Sequence, residues 1–408
     1  MLRRFAPFLL LLILVGCNVS PTPTRVRSST PLVSTPKPTN TIQLPAATST
    51  MKPKPRRTAT PETTLTPLPI PTLVLEGMPL PSGLIYLIPE KRWQDTLWQI
   101  DLNGKPTLIF DFESPHMISS RSPDGTRVLY NDLDKGGIWI DDVRTGEKYD
   151  LAKDLSRQVT VTSAQWWPGQ PNEILLGSYA EGDDITMSNG YLTELDLHTS
   201  QLRVLDKTTL YFGAAISPDG KTVAYDDGGN AAWLYQEGKG SQAFQPQRYG
   251  LVADGKIGIG NASWSPDGKK LAWVVSGSFN GESQCFGVAV FDLQRKTSLL
   301  LHLYQIAGTD RWPPSASWSP DGQWLAIEAM AEGDDNGLWV AKVDGTEQHH
   351  LVQYLRSMTW SPDSHYLAFA TDYPDFGAWL TKIGDWDPMP LALPVDAMLI
   401  DWVEQSSK

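Results

Sequence analysis

The sequence keeps rewriting one short phrase. Trp264-Ser265-Pro266-Asp267-Gly268 returns as Trp318-Ser319-Pro320-Asp321-Gly322 and, with one change, as Trp360-Ser361-Pro362-Asp363-Ser364. Without its Trp the phrase stands at Ser122-Pro123-Asp124-Gly125 and Ser217-Pro218-Asp219-Gly220. A degraded copy, Trp166-Trp167-Pro168-Gly169, fills the gap between those two, and Ile400-Asp401-Trp402 keeps only the Trp. Successive prolines of these copies lie 42 to 54 residues apart. A repeated unit that cannot bury its own apolar face must stack on its neighbours. A period of about 40–50 residues is that of one four-stranded propeller blade.

Each part of the repeat has a physical reason. Pro presets the second position of a turn, Asp bonds nearby amides, and Gly tolerates left-handed backbone. The strand that follows mixes small and bulky residues, as in Lys270-Leu271-Ala272-Trp273-Val274 and Tyr366-Leu367-Ala368-Phe369-Ala370. Small side chains let blades approach the axis while bulky ones fill the space between blades. Third strands end in polar turns such as Asp101-Leu102-Asn103-Gly104 and Asp142-Val143-Arg144-Thr145-Gly146. Three strands from Leu84 to Phe110 precede the first copy, and a lone strand, Met398 to Val403, follows the last. Pairing the two ends closes a ring of seven blades and removes the open edge. Six blades with two frayed ends is the alternative. The expected fold is all-β: a seven-bladed β-propeller over residues 82–408.

Ser-Pro-Asp-Gly followed by an apolar-Ala-aromatic strand resembles the TolB-type, WD-like propeller repeat. The resemblance spans about residues 82–408 and implies the fold. TolB proteins carry a small α/β domain ahead of their propeller, where this chain has a Pro-rich stretch, so a Pal-binding role does not carry over. Prolyl oligopeptidase relatives add a hydrolase domain after a similar propeller, and here only a few residues follow the closing strand.

The first 81 residues read differently. Arg3 and Arg4 lead into the apolar run Phe8 to Val15, too short to span a bilayer. Residues 1–16 are expected to be a signal peptide. Leu14-Val15-Gly16-Cys17 resembles the bacterial lipoprotein box, which implies cleavage before Cys17 and diacylglycerol on its sulfur. An ordinary signal peptide with an incidental Cys is the alternative. Several acyl chains give the stable anchoring that one chain cannot. Residues 17–81 are dominated by Pro, Thr and Ser, too poor in apolar surface to offset the entropy of ordering. They are expected to form a tether, with a reach of roughly 190 Å if wholly polyproline-like, and to be open to O-glycosylation.

Charge divides at the same boundary. Residues 1–80 hold nine of the 34 Lys and Arg and two of the 46 Asp and Glu, leaving 25 against 44 in the remainder. A body of net charge −19 repels nucleic-acid phosphates. With two cysteines, Cys17 and Cys285, no disulfide framework supports the fold, and Cys285 is expected to be an inert, partly buried residue.

No catalytic residue emerges. The repeated Ser sits in a turn, no Gly-x-Ser-x-Gly elbow occurs, and adjacent Asp267-Gly268 departs from the sialidase Asp box. The six histidines (116, 198, 302, 349, 350 and 365) lack metal-ligand spacing, and His349-His350 is expected in a solvated turn or strand edge. Ala180-Glu181-Gly182-Asp183-Asp184 and Ala331-Glu332-Gly333-Asp334-Asp335 occupy the same loop of two blades, opposite the Ser-Pro-Asp-Gly rim. With Asp132, Asp226, Asp227 and Asp372 they can ring one mouth and hold calcium or receive a basic partner. Plain turn chemistry in an acidic protein is the alternative. That face is also expected to carry Arg92, Trp93, Tyr211, Phe212, Arg311, Trp312, Tyr373 and Phe376, residue types that anchor interfaces or stack on sugars.

The expected molecule is thus a monomeric, lipid-anchored, extracytoplasmic propeller without a cofactor, calcium excepted. It is expected to serve as a non-catalytic protein-interaction scaffold in the cell envelope. The alternatives are a glycan- or peptide-binding lipoprotein and a central-channel glycan lyase or hydrolase.

Overall fold

The computed structural model describes residues 80, 83–89, 96–111, 116–132, 137–151, 159–180, 190–208, 214–226, 232–236, 240–254, 258–305, 315–329, 331, 333–372, 376–391, 393 and 397–404. The signal segment, Cys17 and the tether expected over 1–81 lie outside them, apart from Leu80.

Seven four-stranded antiparallel sheets account for every strand among the described residues. Blade 2 runs from His116–Arg121 to Lys148–Asp150, blade 3 from Val159–Trp167 to Gln201–Thr208, and blade 4 from Ala214–Ile216 to Gly240–Phe244. Blade 5 runs from Gly258–Trp264 to Thr297–Gln305, blade 6 from Ser315–Trp318 to Gln348–Val352, and blade 7 from Leu355–Trp360 to Met389–Leu391. Blade 1 is composite. Ala397–Val403 forms its first strand and pairs antiparallel with Leu84–Pro89, from Leu84 opposite Val403 to Pro89 opposite Ala397. The ring is closed by its two ends, and the count is seven.

Second strands explain how blades stack. Alternating side chains leave a strand on opposite faces, and here both faces are buried. In Lys270–Phe279 the bulky Leu271, Trp273 and Val275 pack toward blade 4, against Ala224 and Phe244. Ala272 faces blade 6, meeting Trp318 and Ile327. Every pair of neighbouring blades shares one such apolar layer, including blades 7 and 1, where Ala368 and Leu380 meet Ile85, Leu399 and Trp402. Cys285 is wholly buried in the layer between blades 4 and 5, deeper than the sequence suggested.

The repeated phrase is a closed hydrogen-bond module. In blade 6 the Ser319 hydroxyl donates to Asp321 Oδ1 at 2.6 Å and accepts from the Trp324 amide at 2.9 Å. The Asp321 carboxylate accepts from the Gln323 amide, and the Gly322 amide donates to the Ser319 carbonyl. The same bonds recur at Ser122, Ser217, Ser265 and Ser361. The Ser217 hydroxyl and the Lys221 amide hold the Asp219 carboxyl below its ordinary range. Burial pushes Asp124 and Asp267 the other way, and the same hydrogen bonds outweigh it.

These modules also join blades. The indoles of Trp264, Trp318 and Trp360 each donate to a carbonyl on the first strand of the preceding blade, Ala215, Ser263 and Ser317, at 3.0 to 3.2 Å. Gly268, at φ +67°, stands where a Cβ would lie 3.8 Å from Pro218 Cδ of the preceding turn. Where Gly is replaced, Ser364 accepts the left-handed conformation at φ 62° and its hydroxyl receives the Asp321 amide at 2.8 Å.

Replacing Ser319 by Ala leaves the buried Trp324 amide and the Asp321 carboxylate each short of a partner. A loss of about 1–3 kcal/mol is expected, read as a lower urea midpoint with unchanged far-ultraviolet circular dichroism.

Candidate functional site

The antiparallel order of each blade sorts its connections between two faces. Ser-Pro-Asp-Gly turns join first to second strands, and the third-to-fourth turns lie beside them. The amides of Val143, Leu293, Val343 and Ile383 donate to the carbonyls of Thr126, Lys269, Gln323 and His365, each the residue after a Ser-Pro-Asp-Gly or Ser-Pro-Asp-Ser turn. Carboxylates on this rim are absorbed by backbone. Asp142 accepts from the Arg144 and Thr145 amides, Asp196 from His198 and Thr199, and Asp292 from Gln294 and Arg295.

The opposite face is less committed. Of the residues singled out for it, Arg92, Trp93, Asp183, Asp184, Tyr211, Phe212, Asp227, Arg311, Trp312 and Tyr373 lie outside the described residues. Phe376, Asp334, Asp335 and Asp372 are described, together with Asp132 and Asp226. The last two end second strands as the sequence suggested, and each is only 2% exposed. Asp334 and Asp335 form a short 3-10 turn with exposed side chains. Among the described residues no three His, Cys, Asp or Glu gather as metal ligands.

What the face does assemble lies at blades 6 and 7. Arg356, on the first strand of blade 7, pairs with Asp372 Oδ1 at 3.2 Å, and its guanidinium carbon sits 5.5 Å from the centre of the Phe376 ring. The Asp372 amide donates to the Tyr354 carbonyl, which draws Tyr354 into the same group. Tyr354 and Phe376 are each 42% exposed. The group continues to the Gly-Asp-Asp turn, because the Gln353 side-chain amide donates to Gly333 O at 2.8 Å and Asn336 Nδ2 donates to Gln353 O at 2.6 Å. Beside Phe376 opens a cavity of about 710 Å³ between the blades, walled by Leu351, Val352, Phe369, Trp379 and Pro388. Sequence reasoning reached Asp372 and Phe376 but not Arg356, whose clue was a cation inside a strand that otherwise runs to the axis.

Two carboxylates near the first strands were also missed. Burial pushes Glu328 above the ordinary carboxylate range, partly opposed by the Ser315 hydroxyl, which donates to its Oε2 at 3.0 Å. Burial raises Asp401 likewise, against the pull of Arg121. Glu328 was legible as the one charge in the strand Trp324–Ala329.

Three of the histidines are packed against indoles. His349 and His350 occupy the outer strand of blade 6, an edge as expected, and each lies on an indole: His349 on Trp386 at 4.4 Å, His350 on Trp339 at 4.5 Å. His302, 6% exposed on blade 5, covers the other side of Trp339 at 4.6 Å. The Trp339 indole donates to Asp335 O at 3.0 Å, so this stack holds the Gly-Asp-Asp turn in place. His302 Nδ1 is hydrogen-bonded to the Gln348 side-chain amide.

No family model matches the chain, and no curated protein matches its sequence. Likeness appears among solved structures. An oligogalacturonate lyase in complex with manganese is 16% identical, with a TM-score of 0.50, over 68% of this chain and 80% of its own. An oligogalacturonate lyase from Vibrio parahaemolyticus is 14% identical at the same TM-score, over 68% and 80%. TolB from Acinetobacter baumannii is 21% identical with a TM-score of 0.44, over 65% of this chain and 62% of TolB. What is shared is the propeller. Identities this low carry the architecture and leave function to the site.

The buried histidine gives the fold a pH signature. Burial pushes His302 down to about 4, with Asp335 pulling upward and His350 pushing further down. In the unfolded chain the ring titrates near its ordinary 6.5. Between these values the unfolded state holds the extra proton, so stability is full above pH 6.5 and declines as pH falls toward 4. The loss expected from this ring is on the order of 3 kcal/mol. Urea midpoints measured from pH 7 to 4 should fall less steeply in His302→Gln than in the parent protein.

Proposed function

We propose that this protein is a lipid-anchored, extracytoplasmic propeller that binds an envelope protein and catalyses no reaction. The observation that carries the reading is the group Tyr354, Arg356, Asp372 and Phe376, with two part-exposed aromatic rings around a paired cation on the face opposite the turn rim. Aromatic and Arg side chains beside a cavity are the usual anchors of protein interfaces. The repeated Ser and Asp residues, by contrast, are occupied as turn acceptors and donors, which leaves that chemistry to the fold.

A second reading, glycan binding, draws on the same two rings, since exposed aromatics also stack on sugars. Glu328, held toward its neutral form beside Ser315, is the group that a lyase or hydrolase version of that reading would use.

Full-length protein, solubilised in mild detergent, should recover a discrete protein from its own envelope extract near equal stoichiometry. Calcium dependence of that recovery would promote the Gly-Asp-Asp turns to a cation site. Carbohydrate alone on the bait would overturn the protein-binding reading in favour of glycan binding.

Anchoring is tested separately. Cys17→Ala is expected to move the protein from the membrane pellet to the soluble fraction, and a variant that still sediments with membranes would show that no lipid on Cys17 holds it.

A further inference from the structure

Blades 6 and 7 leave a shaped groove between them. Phe369 and Thr371 of blade 7's second strand, Trp379 of its third, and Phe376 and Pro388 beside them form one wall of the cavity of about 710 Å³, with Leu351 and Val352 of blade 6 as the other wall. Ligand-sized cavities run to about 300–1,000 Å³, so this one accepts a large side chain with its flanking backbone.

The chemistry of the lining is one-sided. Thr371 supplies the hydroxyl of the described lining, and its Oγ1 accepts the Trp379 indole at 3.2 Å while donating to Gly377 O at 3.2 Å. The guanidinium of Arg356 is occupied by Asp372 and the Phe376 ring. Among the described lining residues no side chain is charged, so a charged group gains no ion pair from them. An apolar occupant gains by release from water against Phe369, Phe376 and Trp379.

The rim has the opposite character. Asp334 and Asp335 are exposed on a turn tied through Gln353 to Val352, at the cavity wall. These belong to a body with 44 acidic against 25 basic residues. A cation approaching this face is drawn in, and an anion is repelled.

We propose that the groove between blades 6 and 7 is the docking site for a basic polypeptide segment of a partner protein, which seats one aromatic or branched aliphatic side chain between Val352 and Trp379 and aligns flanking Lys or Arg with Asp334 and Asp335. The proposal rests on the protein-binding reading above and specifies where and what it binds. The apolar anchor supplies most of the affinity, while the charges set on-rate and orientation and weaken with salt.

The test uses full-length protein in detergent and three fluorescein-labelled dodecapeptides: a central Phe flanked by Lys, the same Phe flanked by Glu, and a central Ser flanked by Lys. The Lys-flanked Phe peptide should bind tightest, by about tenfold over each of the others. Phe376→Ala, which changes an exposed ring, should weaken it about tenfold, and Val352→Trp, which fills the groove, should do the same from the opposite wall. Asp334→Asn combined with Asp335→Asn should erase the preference for Lys over Glu flanks and leave Phe over Ser intact. Equal binding of the three peptides, or parent-like binding by both groove variants, would overturn the proposal, as would a peptide signal that tracks dimerisation of the protein. Envelope capture run in parallel with parent and Phe376→Ala separates the two claims. A partner recovered equally by both sinks the groove and leaves protein binding standing, whereas no partner with either sinks protein binding while the peptides still decide the groove.

Discussion

The whole architecture hangs on one ladder, between Ala397–Val403 and Leu84–Pro89. Each of the other six blades is a continuous piece of chain that buries both faces against neighbours. Blade 1 exists only when the two ends of the propeller meet, and its absence would leave the apolar faces of blades 2 and 7 in water. The apolar layer between blades 7 and 1, with Ile85, Leu399 and Trp402 at its centre, couples closure to packing. A ring stabilised by nearest neighbours has no weakest terminal repeat once closed, because every blade has two neighbours.

Within that ring the Ser-Pro-Asp-Gly module solves a local problem. The turn from first to second strand must be tight, must satisfy its amides, and must sit close to the turn of the blade before it. Ser and Asp settle the amides, Gly takes the left-handed backbone that ends the turn, and the Trp ahead of the phrase reaches the preceding blade's first strand. Ser364 shows the constraint from the other side: a side chain is admitted at the left-handed position where its hydroxyl gains the Asp321 amide. Residues that look catalytic in a list of Ser and Asp are therefore fold chemistry, and the rim they form has little carboxylate left for a ligand.

Much of the fold was legible because its causes are local and recur. A turn phrase every 42 to 54 residues, strands with small and bulky residues mixed, and a lone strand at the end together specify seven blades and the mode of closure. The site was less legible because its causes are non-local. Nothing near Arg356 in sequence says that Asp372 and Phe376 will meet it from the neighbouring strand and loop, and nothing near Trp379 says that it will line a groove with Leu351 and Val352 of the preceding blade. At Asp132 and Asp226 the position at a strand end was legible, while their burial was not. His302 and His350 were similarly hidden, since their shared partner Trp339 lies between two blades' outer strands.

These two kinds of legibility reflect how energy is distributed. First and second strands carry the inter-blade layers, so a change there is felt by two neighbours and the sequence pattern stays regular. Outer strands face water on one edge, so their length can vary from three to nine residues without opening the ring. Function that depends on shape is accordingly cheapest to build at the outer edges and on the face away from the turn rim. The groove between blades 6 and 7 fits that logic: it lies beside the acidic turn whose Asp335 carbonyl accepts from the Trp339 indole of the His302–Trp339–His350 stack. Shape and charge at that edge come from different blades, and the inter-blade layer between them is what keeps the two in register.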